Sequence, residues 1–365
     1  MNRAPVLVFA CLLGGCIDTT LPDLSRELGE GRTDGPVCSP ETIAEFPPEQ
    51  LRVTLVDVGQ GDAIWVRTPY YENPELESRN IIIDAGASGN VPGTSPGGAV
   101  LVDHLLAHGL AAGERIDALV VTHAHDDHYG GVPALVSMFE VARYVDPGFD
   151  AGSSGFSSAR SAAQNDVQRQ GGQSHVPAVP QLTPRTLAQT DLFGQYVESW
   201  LLWASETPPN GSASNPSGSD INNTSVAFAL RWGGSQILLM ADLEHEIEQK
   251  LVDSHRAGEF NLASKVLKVG HHGSSTSSSP AFLSAVFPSA GSQDWAVISS
   301  GRRDFGGVTL PTEETLLHLA EVLSPNHILS TENRDELKAG GTEHGDDTII
   351  VTMGADGVVE ACYVP

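Results

Sequence analysis

At 365 residues the chain is long enough for one large domain or two ordinary ones, and a hydrophobic content of 40% suffices for a packed core. Its 46 acidic residues outnumber 20 basic ones, and the resulting formal charge of −26 repels nucleic acid and anionic membrane at long range. No apolar run approaches the roughly 20 residues that a transmembrane helix needs.

Residues 1–16 read as an export signal: Arg3, then the apolar run Val6 to Leu13, then Leu13-Gly14-Gly15-Cys16. Those last four residues resemble a bacterial lipobox. The resemblance implies acylation of Cys16 and an exported lipoprotein of the bacterial cell envelope, held to the membrane by its N-terminal lipid anchor only. Residues 17–50 are polar, rich in Gly and Pro and without periodicity, and are expected to form a flexible tether to a folded unit over 51–365. Removing the signal would leave Cys38 and Cys362 as the remaining thiols, and an oxidising compartment favours their pairing.

Leu51 to Val58 has strand composition, and Gly59-Gln60-Gly61-Asp62 turns it into a second strand, Ala63 to Arg67. Asn80 to Ile83 is a further buried strand, closed by Asp84-Ala85-Gly86. Ala99 to His108 carries Val100, Leu101 and Leu105 at helical spacing, and His104 and His108 are read as ordinary helix-surface residues. The apolar run Ala118 to Val121 then reads as a buried strand of parallel type. At its carboxyl end, where open α/β sheets place their ligands, His123, His125, Asp126, Asp127 and His128 crowd into six positions. Imidazole with carboxylate suits zinc, iron or manganese better than calcium or magnesium. On extended chain His123 and His125 point the same way and can grip one ion, leaving Asp127 and His128 to face a second.

The pattern His-x-His-x-Asp-His resembles the signature of the metallo-β-lactamase superfamily. Asp57-Val58-Gly59-Gln60-Gly61-Asp62 and Ile83-Asp84-Ala85-Gly86 narrow the resemblance to one branch, the hydrolase domain of ComEC-like competence proteins. The resemblance implies that Asp84 sits behind the metals and orients the histidine loop, with Asp57 and Asp62 also behind them. Superfamily members with a third histidine on the first metal supply it within the region 146–190. Here only His175 is available, without a flanking strand, so it is not expected to be a ligand and the first metal is left more open.

Asn223 to Trp232 and Ser235 to Met240 read as two strands joined by Gly233-Gly234, and the second ends in Ala241-Asp242, where the family has Gly-Asp. The resemblance implies that Asp242 bridges both metals. A strand over Lys265 to Val269 leads into His271-His272-Gly273-Ser274, a run that marks the ComEC-like branch. Adjacent histidines on extended chain point apart. His271 is favoured as ligand and His272 as catalytic acid or substrate contact, although the sequence does not separate the two. The competence branch usually carries a Gly-His-Pro turn after the next strand, Ala296 to Gly301; this chain reads Gly306-Gly307-Val308-Thr309-Leu310-Pro311. A helix over Thr312 to Val322 and strands over 348–353 and 358–363 complete the chain.

The implied fold is an α/β (α+β) protein, an αββα four-layer sandwich of the metallo-β-lactamase type. The implied cofactors are two transition-metal ions, zinc first and manganese second, one held by His123, His125 and Asp242 and the other by Asp127, His128, His271 and Asp242. Asp127 is also assigned to catalysis, and Asp126 is expected to face solvent. The implied chemistry is attack by a metal-bound hydroxide on a phosphodiester or phosphoester. The expected partner is a small-molecule or short phosphoester, with nucleic acid the weaker expectation. The rivals are a lactone, lactam or thioester hydrolase and a non-catalytic binding lipoprotein.

Overall fold

A computed structural model of the chain describes residues 35–70, 78–90, 96–175, 188–209, 211–301, 303–333 and 347–365. The export signal, Cys16 and residues 17–34 of the expected tether lie outside the described residues. In chain order the strands are β1 (Gln50–Leu55), β2 (Ile64–Arg67), β3 (Asn80–Ile83), β4 (Arg115–Ile116), β5 (Ala118–Val120), β6 (Glu140–Val141), β7 (Arg143–Val145) and β8 (Gln173–His175) in the first half. The second half adds β9 (Ala188–Gln189), β10 (Glu198–Trp203), β11 (Ala227–Trp232), β12 (Ser235–Leu239), β13 (Val266–Lys268), β14 (Trp295–Ile298), β15 (Ile328–Ser330), β16 (Ile349–Gly354) and β17 (Val359–Tyr363).

These strands build two mixed sheets, one ordered β17-β16-β1-β2-β3-β5-β7-β8 and the other β15-β14-β13-β12-β11-β10-β9, with β4 and β6 as a separate pair. Period-two alternation decides which side chains meet between the sheets. Leu51, Val53 and Leu55 of β1, Ile81 and Ile83 of β3, and Ala118 and Val120 of β5 enter one cluster with Phe228, Leu230, Ile237, Leu239, Val266 and Val297 of the opposite sheet. The other face of the first sheet, with Trp65, Ile82 and Leu119, packs under helices Gly97–Ala107, Val132–Met138 and Ser154–Arg169. Leu238, Leu267 and Ala296 do the same under helices His245–Arg256, Pro280–Val286 and Glu313–Val322. Helices outside two facing sheets are the αββα sandwich that the resemblance implied.

Three stretches differ from the sequence reading. Residues 35–50, expected within the tether, lie on the fold: Val37 bridges Tyr363, Pro40–Ala44 is a helix capped by Ser39, and a Cys38–Cys362 disulfide joins the segment to β17. Ser154–Arg169, to which the sequence reading assigns no element, is a helix whose buried face includes Phe156, Ala159, Ala163 and Val167. His175 ends a strand after all, since β8 pairs in parallel with β7 and sets His175 opposite Val145.

No described helix is long and apolar enough to cross a membrane. The chain leaves β5 straight into the histidine loop, β12 into Asp242 and β13 into His271 and His272, so the ends of strands from both sheets converge on one edge.

Candidate metal centre

The histidine loop is fixed by close backbone approach. Asp62 N–H donates to the Asp127 carbonyl at 3.2 Å, and Gly61, at φ +136, lies where an added Cβ would sit 2.4 Å from that carbonyl oxygen. At Gly131 a Cβ would fall 1.9 Å from the Ala85 carbonyl oxygen, so a side chain there would push the loop off the turn that follows β3. Asp126 is only partly exposed, contrary to expectation. Its carboxylate accepts from the Ser88 N–H and hydroxyl at 3.1 and 3.0 Å, which fastens the loop from a second side.

Three histidines share one arrangement, in which Nδ1 is spent on the protein and Nε2 faces Asp242. His128 Nδ1 donates to Asp84 Oδ2 at 2.8 Å. His272 Nδ1 donates to the Ser299 carbonyl at 2.9 Å. The Thr122 hydroxyl is committed as a donor to Asp84 Oδ2 (2.7 Å), so it accepts from His123 Nδ1 at 3.0 Å, and the Ser225 hydroxyl lies 3.2 Å from the same nitrogen. The Nε2 atoms of His123, His128 and His272 then lie 3.7, 3.3 and 3.4 Å from Asp242 Oδ2. Metal-binding histidines are held in this way, the outer nitrogen fixing tautomer and ring orientation while the inner one keeps its lone pair.

His125 Nδ1 stands 3.0 Å from His123 Nε2, and Asp127 Oδ2 lies 3.5 Å from His272 Nε2. Of four overlapping groups of His and Asp among the described residues that are compact enough for one ion, His123–His125–Asp242 and Asp127–His128–His272 share no residue, and the other two draw on Asp62 and Asp84 behind them. His128 Nε2, His272 Nε2 and Asp242 Oδ1 are buried without a hydrogen-bond partner. Buried polar atoms are costly without partners, and unpartnered nitrogens converging on an anionic oxygen fit a cation. The donor set of imidazole and carboxylate suits a transition metal.

The charges follow the same logic. Burial alone would lower the pKa of His128, but Asp242 and then Asp84 outweigh it and hold it well above the ordinary value. Burial, reinforced by His128, pushes His123 well below its ordinary value and keeps its ring neutral. Burial would raise the Asp127 carboxyl, yet the His272 ring 3.5 Å away and the charge of His128 hold it far below the usual carboxylate range.

His271 and His272 stand otherwise than expected. Both have left-handed backbone, at φ 48 and 52, so the alternation of extended chain does not apply. His272 is the one brought against Asp127 and Asp242. The His271 ring is half-buried at the rim, with Nδ1 2.9 Å from the Thr276 hydroxyl, Nε2 3.4 Å from the Asn222 amide and Nε2 4.0 Å from Asp242.

Asp84 lies directly behind the loop, since its two oxygens also accept from the Thr122 N–H and hydroxyl. Asp62 lies behind His272, with Oδ1 3.4 Å from its Nδ1. Asp57 stands further out, accepting from the Gly59 N–H at 3.1 Å. The sequence reading missed the partner of Asp62: Lys268, fully buried, forms an ion pair with it. Burial would raise the Asp62 carboxyl, but Lys268 and then His272 bring it to about 2. Lys268, three residues before His271 in the sequence, is therefore not free to meet a substrate. Thr122, Ser225 and Ser299 also escaped notice, because a hydroxyl or carbonyl beside a ligand leaves no pattern of its own. His104 and His108 lie outside the centre, and His104, half-buried, packs edge-on against Trp65.

Residues 56–214 match the family model of the metallo-beta-lactamase superfamily. This chain carries a metallo-β-lactamase domain. Over 316 residues, 83% of the chain, it is 28% identical to ComE operon protein 3 of Bacillus subtilis. Over 263 residues, 72% of the chain, it is 30% identical to competence protein ComA of Neisseria gonorrhoeae. The chain spans 35% and 28% of the length of these two relatives. A shorter match, 43% identity over 67 residues covering 18% of the chain and 24% of that protein, is to a hydroxyacylglutathione hydrolase of Stenotrophomonas maltophilia. Among solved structures, a metal-dependent hydrolase of the β-lactamase superfamily aligns over 80% of this chain and 99% of its own at 12% identity and a TM-score of 0.42. In sequence this domain resembles the ComEC-like branch.

Proposed function

We propose that the metallo-β-lactamase domain is a binuclear phosphodiesterase. One observation carries the reading: two compact ligand groups meet at Asp242 with buried polar atoms that nothing among the described residues satisfies. His123, His125 and Asp242 would hold one ion, and Asp127, His128, His272 and Asp242 the other. When bound, the two ions contribute charge stabilisation at a phosphoryl oxygen and acidify water in the site, which suits an in-line displacement. Zinc is the first choice and manganese the second. His271, at the rim, would meet the substrate or the leaving group, the reverse of the assignment favoured from sequence. Export and anchoring through an acylated Cys16 belong to the same proposal, and a fatty-acid label should vanish in Cys16→Ala.

The test is a panel of bis-aryl phosphodiester, lactone, lactam and thioester substrates with the protein reconstituted in zinc or manganese. Phosphodiester turnover is expected, reduced by about a thousandfold or more in Asp127→Ala, in line with the loss of a group that positions catalytic charge. Thioester turnover with inert phosphodiesters would favour the rival reading, which the match to a hydroxyacylglutathione hydrolase supports. Metal content separates the two histidines. His272→Ala should bind about one equivalent fewer than wild type, whereas His271→Ala should keep the full complement and lose turnover. The opposite pattern would restore the sequence assignment.

A further inference from the structure

Away from the metal centre, at the other end of β1 and β2 from the Gly59–Asp62 turn, basic side chains gather on the outer face of the first sheet. Arg52 and Arg67 stand directly opposite each other across the ladder, an arrangement that like charges disfavour. Phe46 covers both, its ring 5.4 Å from the Arg52 guanidinium and 4.7 Å from that of Arg67, and Trp65 lies 4.1 Å from the Arg67 guanidinium on another side. His104 meets the Trp65 ring edge-on at 6.3 Å, and His108 lies 4.2 Å from His104.

Among the described residues, no carboxylate answers this cluster. Arg52, only 1% exposed, donates to the Glu45 carbonyl and to Gln50 Oε1, both uncharged acceptors. Its Nη1 and the Nε of Arg67 are buried with no acceptor at all. Burial lowers the Arg52 pKa to about 10, and burial together with Arg52 lowers that of Arg67 to about 9. In a chain with 46 acidic residues, two opposed arginines that meet no carboxylate among the described residues are an exception, and their buried donors suit an anion. Arg67, His104 and His108 are each partly exposed and give access from solvent. Guanidinium forks match the geometry of a phosphate oxyanion.

We propose that Arg67, Arg52 and His108 form a second ligand site of this protein, one that takes a phosphate oxyanion, free or carried by a lipid headgroup.

The experiment titrates the metal-loaded full chain with inorganic phosphate by calorimetry, and in parallel with vesicles of neutral lipid with and without an anionic phospholipid. Saturable binding of at least one of the two is expected, weakened tenfold or more in Arg67→Gln, while inhibition of turnover by phosphate is unchanged because that reports the metal centre. His108→Gln, at a partly exposed position, should weaken binding by several fold and serves if Arg67→Gln misfolds. Response to phosphate supports a soluble ligand, and response to anionic vesicles alone supports a headgroup. No saturable binding, or binding indifferent to both substitutions, would overturn the proposal. So would phosphate binding that appears only after Glu72, Glu75 and Glu77 are changed to Gln, since the chain's own carboxylates would then be filling the site.

Discussion

Asp242 is surrounded by strained backbone. Asp84, Ala241, His271 and His272 all have positive φ, at 62, 49, 48 and 52, although none is glycine. Such conformations cost on the order of 1–3 kcal/mol each and gather where a site must hold its groups in one geometry. The histidine loop and the place of Asp84 behind it are legible in the sequence, because strand-end acids and spaced histidines leave a pattern. It did not reveal the order of His271 and His272, because that rests on two φ angles no composition encodes. Ala241 stands where the family has glycine, and its φ of 49 gives the physical reason. Ala241→Gly is accordingly expected to stabilise the fold by about 1 kcal/mol, glycine adopting this region without the steric cost an L side chain meets. Denaturant titration would show the midpoint rise at unchanged slope, and a lower midpoint would mean that the Ala241 methyl packs more than it strains.

At the level of elements, apolar strands flanked by turns were legible nearly to the residue, as β12 shows by ending in Leu239 just before Met240-Ala241-Asp242. Ser154–Arg169 was not, because its buried face relies on Ala159 and Ala163, whose small side chains leave little apolar periodicity among Ser and Gln. The segment 35–50 reads as tether because it carries Gly35, Pro36, Pro40, Pro47 and Pro48 and no periodicity, whereas it is held by tertiary contacts: Cys38 N–H donates to the Tyr363 carbonyl at 2.8 Å, and Cys38 packs with Ile43, Ile350 and Val364. The pairing of Cys38 with Cys362, expected from the export argument, closes a loop of 324 residues in sequence. Cross-links over long loops stabilise mainly by restricting the unfolded chain, typically by about 2–4 kcal/mol. Cys38→Ser with Cys362→Ser should lower unfolding free energy by about that amount while leaving metal content and turnover intact. Loss of bound metal in the double variant would show instead that the pairing holds the site edge in place.

For the whole molecule, the two-sheet architecture was legible through resemblance more than through pattern, since alternation tells which face of a strand is buried but not which sheet it joins. The charge of −26 was plain from the start, and the structure sharpens its consequence. Affinity for duplex DNA comes largely from Lys and Arg that neutralise successive phosphates and release counterions. Of the cations close to the site in sequence, Lys268 is buried against Asp62 and Arg303 stacks on Phe305 at 4.7 Å, while Arg302 lies outside the described residues. On the proposed function, most of the attraction for a phosphoester would come from the metal centre, which would reach one or two phosphates and not a duplex groove. Small or short phosphodiesters are therefore expected to be cleaved with higher kcat/KM than duplex DNA, with Asp127→Ala removing both activities. Raising the salt from low to moderate should leave turnover of the small substrate nearly unchanged, because few counterions are released on binding it. Efficient duplex cleavage that weakens steeply with salt, together with no turnover of small phosphodiesters, would show that an extended basic surface binds the substrate and that the metal centre alone does not set specificity.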